Sequence, residues 1–267
     1  MASVRILTDS TADIPAEVAQ RLGIAVVPAY VQFGGQSLRD GEQISRAEFY
    51  RLLPNLKETP TTAVPPAHEF AVAFGRLAEE VAEVVAILLP ETLSGMLNAA
   101  RLGSEEVPAL KVHLVDSGQL AMGMGWQVIA AAEAAAAGAG VAEVLALIRR
   151  VRPRVRVLAM LDTLDNLRRS GRVAWARAAA AQVLRFKPLI EVREGEVGLV
   201  GKIRTRRRAV EWLLEATAAL GPLERLAVLH TSSPDVASFR ARMGALFPVD
   251  QILTSEVGPI WEPTTGP

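Results

Sequence analysis

The chain has 267 residues, of which 50% are hydrophobic and 22% charged, and this composition predicts one or two folded domains rather than a disordered chain. Its 29 basic and 29 acidic side chains balance, which argues against a protein whose main task is to coat nucleic acid. The lack of cysteine excludes disulfides and iron–sulfur clusters, and three scattered histidines argue against a metal centre. We expect neither a metal nor a cofactor.

The first half alternates between short apolar runs and segments with helical spacing. Strands are predicted at Val4–Thr8, Ile24–Val31, Val84–Leu89 and Val112–Val115. Helices are predicted at Asp13–Leu22, Arg46–Leu53, Ala67–Ala82, Ser94–Leu102, Gly125–Ala137 and Val141–Val151. Repetition of strand, polar turn and helix is typical of a parallel sheet with helices on both faces.

The second half is predicted to mix hairpin and helical elements. A hairpin of Leu189–Val192 and Gly198–Ile203 is expected around Glu194-Gly195. The other predicted strands are Val155–Leu161, Leu226–His230 and Val249–Leu253, and the predicted helices are Leu164–Arg168, Gly171–Arg185, Arg207–Leu220 and Asp235–Leu246. A domain boundary is expected near residue 153, which gives domains 1–153 and 154–267.

No targeting segment is visible at the start of the chain, which leads straight into a strand-like run. The apolar runs near 84–90 and 128–137 are shorter than the roughly 20 residues of a membrane helix. We therefore expect a cytoplasmic protein without a transmembrane segment.

Charge is distributed unevenly along the chain. Residues 1–150 carry 11 basic and 17 acidic side chains, whereas residues 151–267 carry 18 basic and 12 acidic ones. Five of the eight residues in Arg149–Arg156 are arginine. This basic surface is either a solvated face or a docking surface for an acidic partner or a phosphate.

Hydroxyl side chains follow several predicted strands, where ligands bind in open α/β sheets. They include Thr8, Ser10 and Thr11, the pair Thr61-Thr62 between prolines, and Thr92 and Ser94. Hydroxyls beside unpaired helix amides bind a carboxylate or a phosphate. Taken alone, Ser94 is more typical of a helix N-cap than of a ligand site, and the threonine pair is typical of a rigid turn. There is no P-loop motif, and Gly123-Met124-Gly125 lacks the third glycine of a dinucleotide fingerprint.

A series of short segments, each weak alone, is specific in its order and spacing. The segments are Leu7–Pro15, Val26–Pro28, Asp40-Gly41, Phe49-Tyr50, Pro60–Thr62, Leu93–Gly95 with Asn98–Ala100, Val115–Ser117 with Gly123–Gly125, Leu164–Val173, Phe186–Ile190 with Gly195, Lys202–Thr205 and Val257–Pro259. In these segments the chain resembles the DegV family over nearly its whole length.

The resemblance implies a two-domain α/β fold, with a three-layer parallel-sheet domain followed by a second α/β domain with a mixed sheet. DegV-like proteins enclose one long-chain fatty acid in a tunnel between the domains. In many bacteria they are the binding subunit of fatty acid kinase, and a separate ATP-dependent subunit phosphorylates the bound acid. The resemblance thus implies a lipid-binding subunit in phospholipid metabolism, with no turnover by itself.

The resemblance also assigns site residues. It implies that Thr62 and Ser94 bind the fatty-acid carboxylate, and that Arg172 and Arg204 serve the head group and the kinase partner. The chain departs from the usual pattern at Ala63, where the family has serine, and at Met96, where it has threonine.

Glu256 is the third departure, since the family often has a histidine two residues before the final Gly-Pro. An ionised glutamate accepts hydrogen bonds but donates none. We expect it either to pair with an arginine such as Arg172, which we favour, or to share a proton with the ligand. An exposed loop position without a role is the third reading.

Two other functions compete with lipid binding. One is an acyl-ester hydrolase that uses Ser94, although this serine lies outside a GxSxG motif and no histidine follows at a telling position. The other is a nucleic-acid-binding regulator that uses the arginine-rich face. The balanced charge and the lack of a recognisable nucleic-acid motif argue against it, so nucleic acid is not an expected partner.

Overall fold

The computed structural model describes residues 4–56, 58–164, 167–168, 171–173, 175–176 and 186–259. The strands in these ranges are β1 (Arg5–Asp9), β2 (Ala25–Val27), β3 (Tyr30–Phe33), β4 (Gln36–Arg39), β5 (Thr61–Ala63), β6 (Glu83–Leu88), β7 (Lys111–Asp116), β8 (Val157–Met160), β9 (Lys187–Arg193), β10 (Glu196–Ile203), β11 (Ala227–His230) and β12 (Leu253–Glu256). The α-helices are α1 (Ala16–Arg21), α2 (Arg46–Leu52), α3 (Ala67–Ala78), α4 (Met96–Glu105), α5 (Ala121–Ala136), α6 (Val141–Val151), α7 (Arg206–Ala218) and α8 (Val236–Met243).

The first half is built on a four-stranded parallel sheet in the order β2-β1-β6-β7. Alternate side chains of β6 point to opposite faces, as the two-residue repeat of a strand requires. Val84, Ala86 and Leu88 pack with α3 and α4 on one face, and Val85 and Ile87 pack with α1, α5 and α6 on the other. This arrangement confirms the predicted three-layer parallel-sheet architecture.

A small antiparallel sheet, in the order β4-β3-β5, lies beside it and differs from the prediction. The apolar run at 24–31 forms two strands in two different sheets, because Pro28 lacks the N–H that a continuous strand would donate. The segments that form β4 and β5 were not predicted to be strands. The pairing of β5 with β3 places Thr62 opposite Val31.

The second half contains an antiparallel sheet, β10-β9-β8, and a parallel pair, β11-β12. The predicted hairpin is confirmed, and both residues of its turn have positive φ, 49° at Glu194 and 78° at Gly195. Gly195 donates its N–H to the Gly118 carbonyl at 2.7 Å and accepts from the Thr92 hydroxyl at 3.0 Å. The turn therefore contacts the loops that follow β6 and β7.

The end of the chain differs from the sequence prediction. Val249–Gln251 is a 3-10 turn, and the last strand begins four residues after the predicted start, at Leu253. The predicted helices Leu164–Arg168 and Gly171–Arg185 lie partly outside the described residues, in which 167–168 and 175–176 are helical. Among the described helices, none combines the length and the apolar character needed to cross a membrane. The boundary near residue 153 stays a prediction.

Candidate functional site

Three of the five site residues expected from the sequence line one cavity of about 60 Å³. Thr62 reaches this small cavity from β5, Ser94 from the loop before α4, and Arg172 from the second half of the chain. Strand pairing positions the first residue and the start of α4 the second. Only the tertiary fold brings the third beside them, because it is 78 residues beyond Ser94.

Arg172 links the two halves at this point. Its Nη2 donates to the Thr62 hydroxyl at 3.4 Å, and its Nε donates to the Leu93 carbonyl at 2.9 Å. Partial burial lowers the pKa of the guanidinium, yet arginine keeps its charge at neutral pH. The small cavity therefore has a cationic group held in place beside a hydroxyl.

Ser94 supplies a second hydroxyl to the small cavity. The N-cap position of α4 is occupied by Gly95, and the Ser94 Oγ accepts a hydrogen bond from the Met96 N–H at 3.3 Å. Because the oxygen acts as acceptor in this bond, the hydroxyl proton remains available for an anion. Within the described residues, Ser94 forms no hydrogen bond with a histidine or a carboxylate.

Thr11 also lines the small cavity, and sequence reasoning gave it no specific role. Asp9, fully buried at the end of β1, accepts hydrogen bonds from the Thr11 hydroxyl, from the Thr11 N–H at 2.9 Å and from the Leu89 N–H at 3.2 Å. Burial raises the pKa of Asp9 and these hydrogen bonds oppose the rise. The Thr11 hydroxyl proton is committed to Asp9, which distinguishes it from that of Ser94. The sequence signal that could have identified Thr11 is the run of polar residues after the first predicted strand.

The small cavity adjoins a much larger one of about 1400 Å³. Leu120, Leu167 and Val197 line both cavities. The large cavity is lined by residues from both halves of the chain, including Met122, Trp126, Met160, Leu161, Ile190 and Phe239. The two cavities are therefore adjacent, and the residues that they share are apolar.

The other two expected site residues lie elsewhere. Arg204 is exposed after β10, with its guanidinium carbon 5.6 Å from the centre of the Phe186 ring, and it lines neither cavity. Glu256 ends β12, and its backbone carbonyl accepts a hydrogen bond from Arg46. Glu256 and Arg172 are both described and form no ion pair with each other, so Arg172 is not the arginine beside Glu256. The arginine beside Glu256 is Arg46. A role for Arg204 or Glu256 at a ligand stays a prediction.

Comparison with known proteins decides the family. The family model described as "Uncharacterised protein, DegV family" matches residues 3–267. The chain belongs to the DegV family. A DegV domain-containing protein of Streptomyces coelicolor is 36% identical over 269 residues, with 99% of this chain and 95% of the relative covered.

Two solved DegV structures share the whole fold. A DegV family protein from Thermus thermophilus, described for its fatty acid binding, is 31% identical and superposes with a TM-score of 0.87 over 99% of this chain and 96% of its own. DegV of Bacillus subtilis, described as a fatty acid binding protein, is 26% identical with a TM-score of 0.89 over 100% and 96%. These matches confirm the DegV fold that the sequence motifs implied.

Proposed function

We propose that this DegV protein binds one long-chain fatty acid, with the carboxylate in the small cavity and the acyl chain in the large cavity. The observation that carries the proposal is that the two cavities are adjacent and share the apolar lining residues Leu120, Leu167 and Val197. A ligand that fits them needs one anionic end and a long apolar remainder. Both related structures from Thermus thermophilus and Bacillus subtilis are described as fatty acid binding, which supports this ligand class.

The carboxylate is the part of the ligand that needs compensation, because a bare ion is costly to bury. In the proposal Thr62 and Ser94 donate hydroxyl hydrogen bonds to it, and Arg172 supplies positive charge. Each hydrogen bond to a charged group contributes about 1.5–3 kcal/mol. The carboxylate of Asp9 accepts hydrogen bonds from Thr11, which lines the small cavity, and from Leu89.

The acyl chain supplies most of the gross binding energy. About 14 methylenes at about 0.8 kcal/mol each would contribute about 11 kcal/mol before the entropy of association is subtracted. Low aromatic content, 5% of the chain, suits a wall of flexible aliphatic side chains around such a tail.

We further propose that the protein has no turnover of its own and presents the carboxylate to a separate ATP-dependent kinase subunit. An acyl phosphate would form when the carboxylate oxygen attacks the γ-phosphorus of ATP and ADP leaves. The exposed arginines of the basic segment, Arg149, Arg150 and Arg154, together with Arg204, would dock the partner, because exposed arginines bind phosphates and acidic surfaces. Since ATP is the phosphate donor, the proposal places this reaction in the cytoplasm.

The experiment is loading of delipidated protein with palmitate or oleate, followed by native mass spectrometry and titration. One fatty acid per chain is expected. Ser94→Ala and Thr62→Ala should each weaken binding about 10- to 150-fold through loss of a charged hydrogen bond.

Matched controls are available for both variants. Ser104 lies on α4 with its hydroxyl on the Arg101 carbonyl, and Thr61 is the exposed neighbour of Thr62 on β5. Ser104→Ala and Thr61→Ala should bind as the wild type does. A protein that takes up no fatty acid, or equal losses in the site and control variants, would refute the proposal.

A further inference from the structure

The segment after β12 is held against the first half of the chain by polar contacts. The Asp13 carboxylate accepts from the Gly258 N–H at 2.8 Å, and the Tyr50 hydroxyl donates to the Val257 carbonyl at 2.9 Å. Arg46 donates to the carbonyl of Glu256. A Cβ on Gly258 would lie only 3.0 Å from Asp40 Oδ2 and 3.2 Å from Asp13 Oδ1, so the segment is packed closely on these carboxylates.

Asp13, Asp40 and Arg46, here called the clasp, contain two buried carboxyl groups and one guanidinium. Arg46 lies 2.9 Å from Asp13 and 3.8 Å from Asp40, and both acidic side chains are 0% exposed. Asp13 Oδ2 has no hydrogen-bond partner among the described residues. One guanidinium balances one carboxylate, so the second carboxyl group needs a proton for the clasp to be neutral.

The charged groups around the clasp do not supply a second positive charge that would balance the second carboxylate. Asp9 faces the clasp from β1 and adds negative charge, and Glu256 faces Arg46 from β12. Tyr50, on the same helix as Arg46, donates its hydroxyl proton to the Val257 carbonyl. His230, opposite Glu256 on β11, has a pKa lowered by burial. Burial raises the pKa of Asp13 to about 7 against the attraction of Arg46, and it raises the pKa of Asp40 as well.

The segment held by the clasp forms part of the wall of the large cavity. Val257 lines this cavity together with His230, whose carbonyl accepts from the Val257 N–H at 2.9 Å. Displacement of Val257 and Gly258 would therefore open the large cavity on that side.

We propose that Asp13, Asp40 and Arg46 form a proton-dependent clasp that keeps Val257 and Gly258 in place and so closes one wall of the large cavity. With one proton bound the clasp is neutral and the segment is held. Loss of the proton leaves two buried carboxylates on one guanidinium, and release of the segment to water relieves their repulsion. The link to ligand release rests on the proposed function, whereas opening of the segment does not.

Hydrogen exchange on the unliganded protein tests the opening directly. Protection factors of the amides in 253–258, corrected for the intrinsic pH dependence of exchange, should fall between pH 6 and pH 8. Because one proton is linked to opening, the fall approaches but does not exceed about tenfold per pH unit. Asp40→Asn should show a flat profile, since the remaining carboxylate is balanced by Arg46. If this variant does not fold, Asp13→Asn replaces it.

The matched control is Asp250→Asn, which removes an exposed carboxylate in the 3-10 turn before β12. It should keep the wild-type slope. A flat wild-type profile, or equal slopes in the wild type and in Asp40→Asn, overturns the proposal. Dissociation of bound oleate, measured over the same pH range, should accelerate in parallel with exchange. If oleate does not bind while exchange follows the prediction, the proposed function is refuted. The proton-dependent opening of the segment is then still supported.

Discussion

The small cavity and the clasp both contain an arginine that joins distant parts of the chain, but the groups around the two arginines differ. Arg172 lies beside the hydroxyls of Thr62 and Ser94, in a cavity that adjoins the large one. Arg46 lies between the carboxylates of Asp13 and Asp40, which are parts of the protein itself.

This difference decides which site suits an external carboxylate. Hydroxyl groups donate hydrogen bonds to an anion, whereas resident carboxylates repel it and already use the guanidinium. The same kind of side chain therefore serves ligand binding in one place and internal stabilisation in the other. Changes at the two arginines should separate ligand affinity from stability.

The largest expected effect is on stability, at the clasp. Arg46→Ala would leave two buried carboxyl groups without a cation, and removal of one partner of a buried ion pair typically costs about 3–5 kcal/mol. Urea denaturation should show this loss in the free energy of unfolding. The control is Arg51→Ala on the same helix, where an exposed ion pair contributes at most about 1 kcal/mol. Equal losses of stability in Arg46→Ala and Arg51→Ala would show that the clasp stabilises the fold no more than an exposed ion pair does.

The next effect is on affinity, at the small cavity. Arg172→Ala should weaken fatty-acid binding by about 1.5–3 kcal/mol, which is about 10- to 150-fold, because it removes charge-assisted contacts with the carboxylate. The free energy of unfolding should change by less than about 1 kcal/mol. Arg204→Ala, the control, should bind with wild-type affinity and reduce only acyl-phosphate formation with a kinase subunit. An unchanged Kd for Arg172→Ala would contradict its place at the head group.

The two regions should also differ in their dependence on pH. The pKa of Asp13 is raised in the folded protein from 3.8 to about 7, so the folded state binds more protons than the unfolded state in that window. The stabilisation is fully present below 3.8 and is lost as pH rises through about 7. The pKa of Asp235 is lowered to about 2 by Arg206 and Ser233, so this group titrates at lower pH and does not contribute to the change in stability near pH 7.

Denaturation from pH 5 to pH 8 measures this slope. The free energy of unfolding of the wild type should fall relative to that of Asp13→Asn as pH rises. Ser94→Ala, in the small cavity, should follow the wild-type slope. A wild-type slope that matches that of Asp13→Asn would show that Asp13 does not titrate in this range.

The sequence predicted the parallel sheet well because its signals are local. Buried β-branched runs such as Val84–Leu89 alternate with amphipathic helices, and Glu194-Gly195 matches the turn type that a tight hairpin requires. It missed β5, since a three-residue strand between prolines owes its existence to pairing with β3. It also placed the last strand too early, because Val249–Gln251 forms a 3-10 turn after Pro248 and the strand begins only at Leu253.

The candidate site was predictable only in part. Family motifs named Thr62, Ser94 and Arg172, and the fold brings these three together. The clasp was not predicted, although its acidic residues stand in the motif segments. The pairing of Asp13 with Arg46 and Gly258 depends on contacts across as many as 245 residues, which no local pattern encodes.

The smallest expected effect concerns Glu256, which adjoins the clasp and not the small cavity. Its backbone carbonyl binds Arg46, and its register partner on β11 is His230. Glu256→Gln keeps the backbone contact, so fatty-acid affinity should change less than about twofold and the free energy of unfolding less than about 0.5 kcal/mol. Proton sharing between Glu256 and the ligand makes a different prediction: wild-type affinity would fall as pH rises, and the glutamine variant would abolish that fall. Titration of oleate at pH 6, 7 and 8 separates these outcomes. The expected result is one pH profile shared by both proteins, because any slope would arise from the clasp, which the variant retains. A slope present in the wild type and lost in Glu256→Gln would show that Glu256 interacts with the ligand. It would contradict the view that Arg172 serves ligand binding while the region of Arg46 serves only stability.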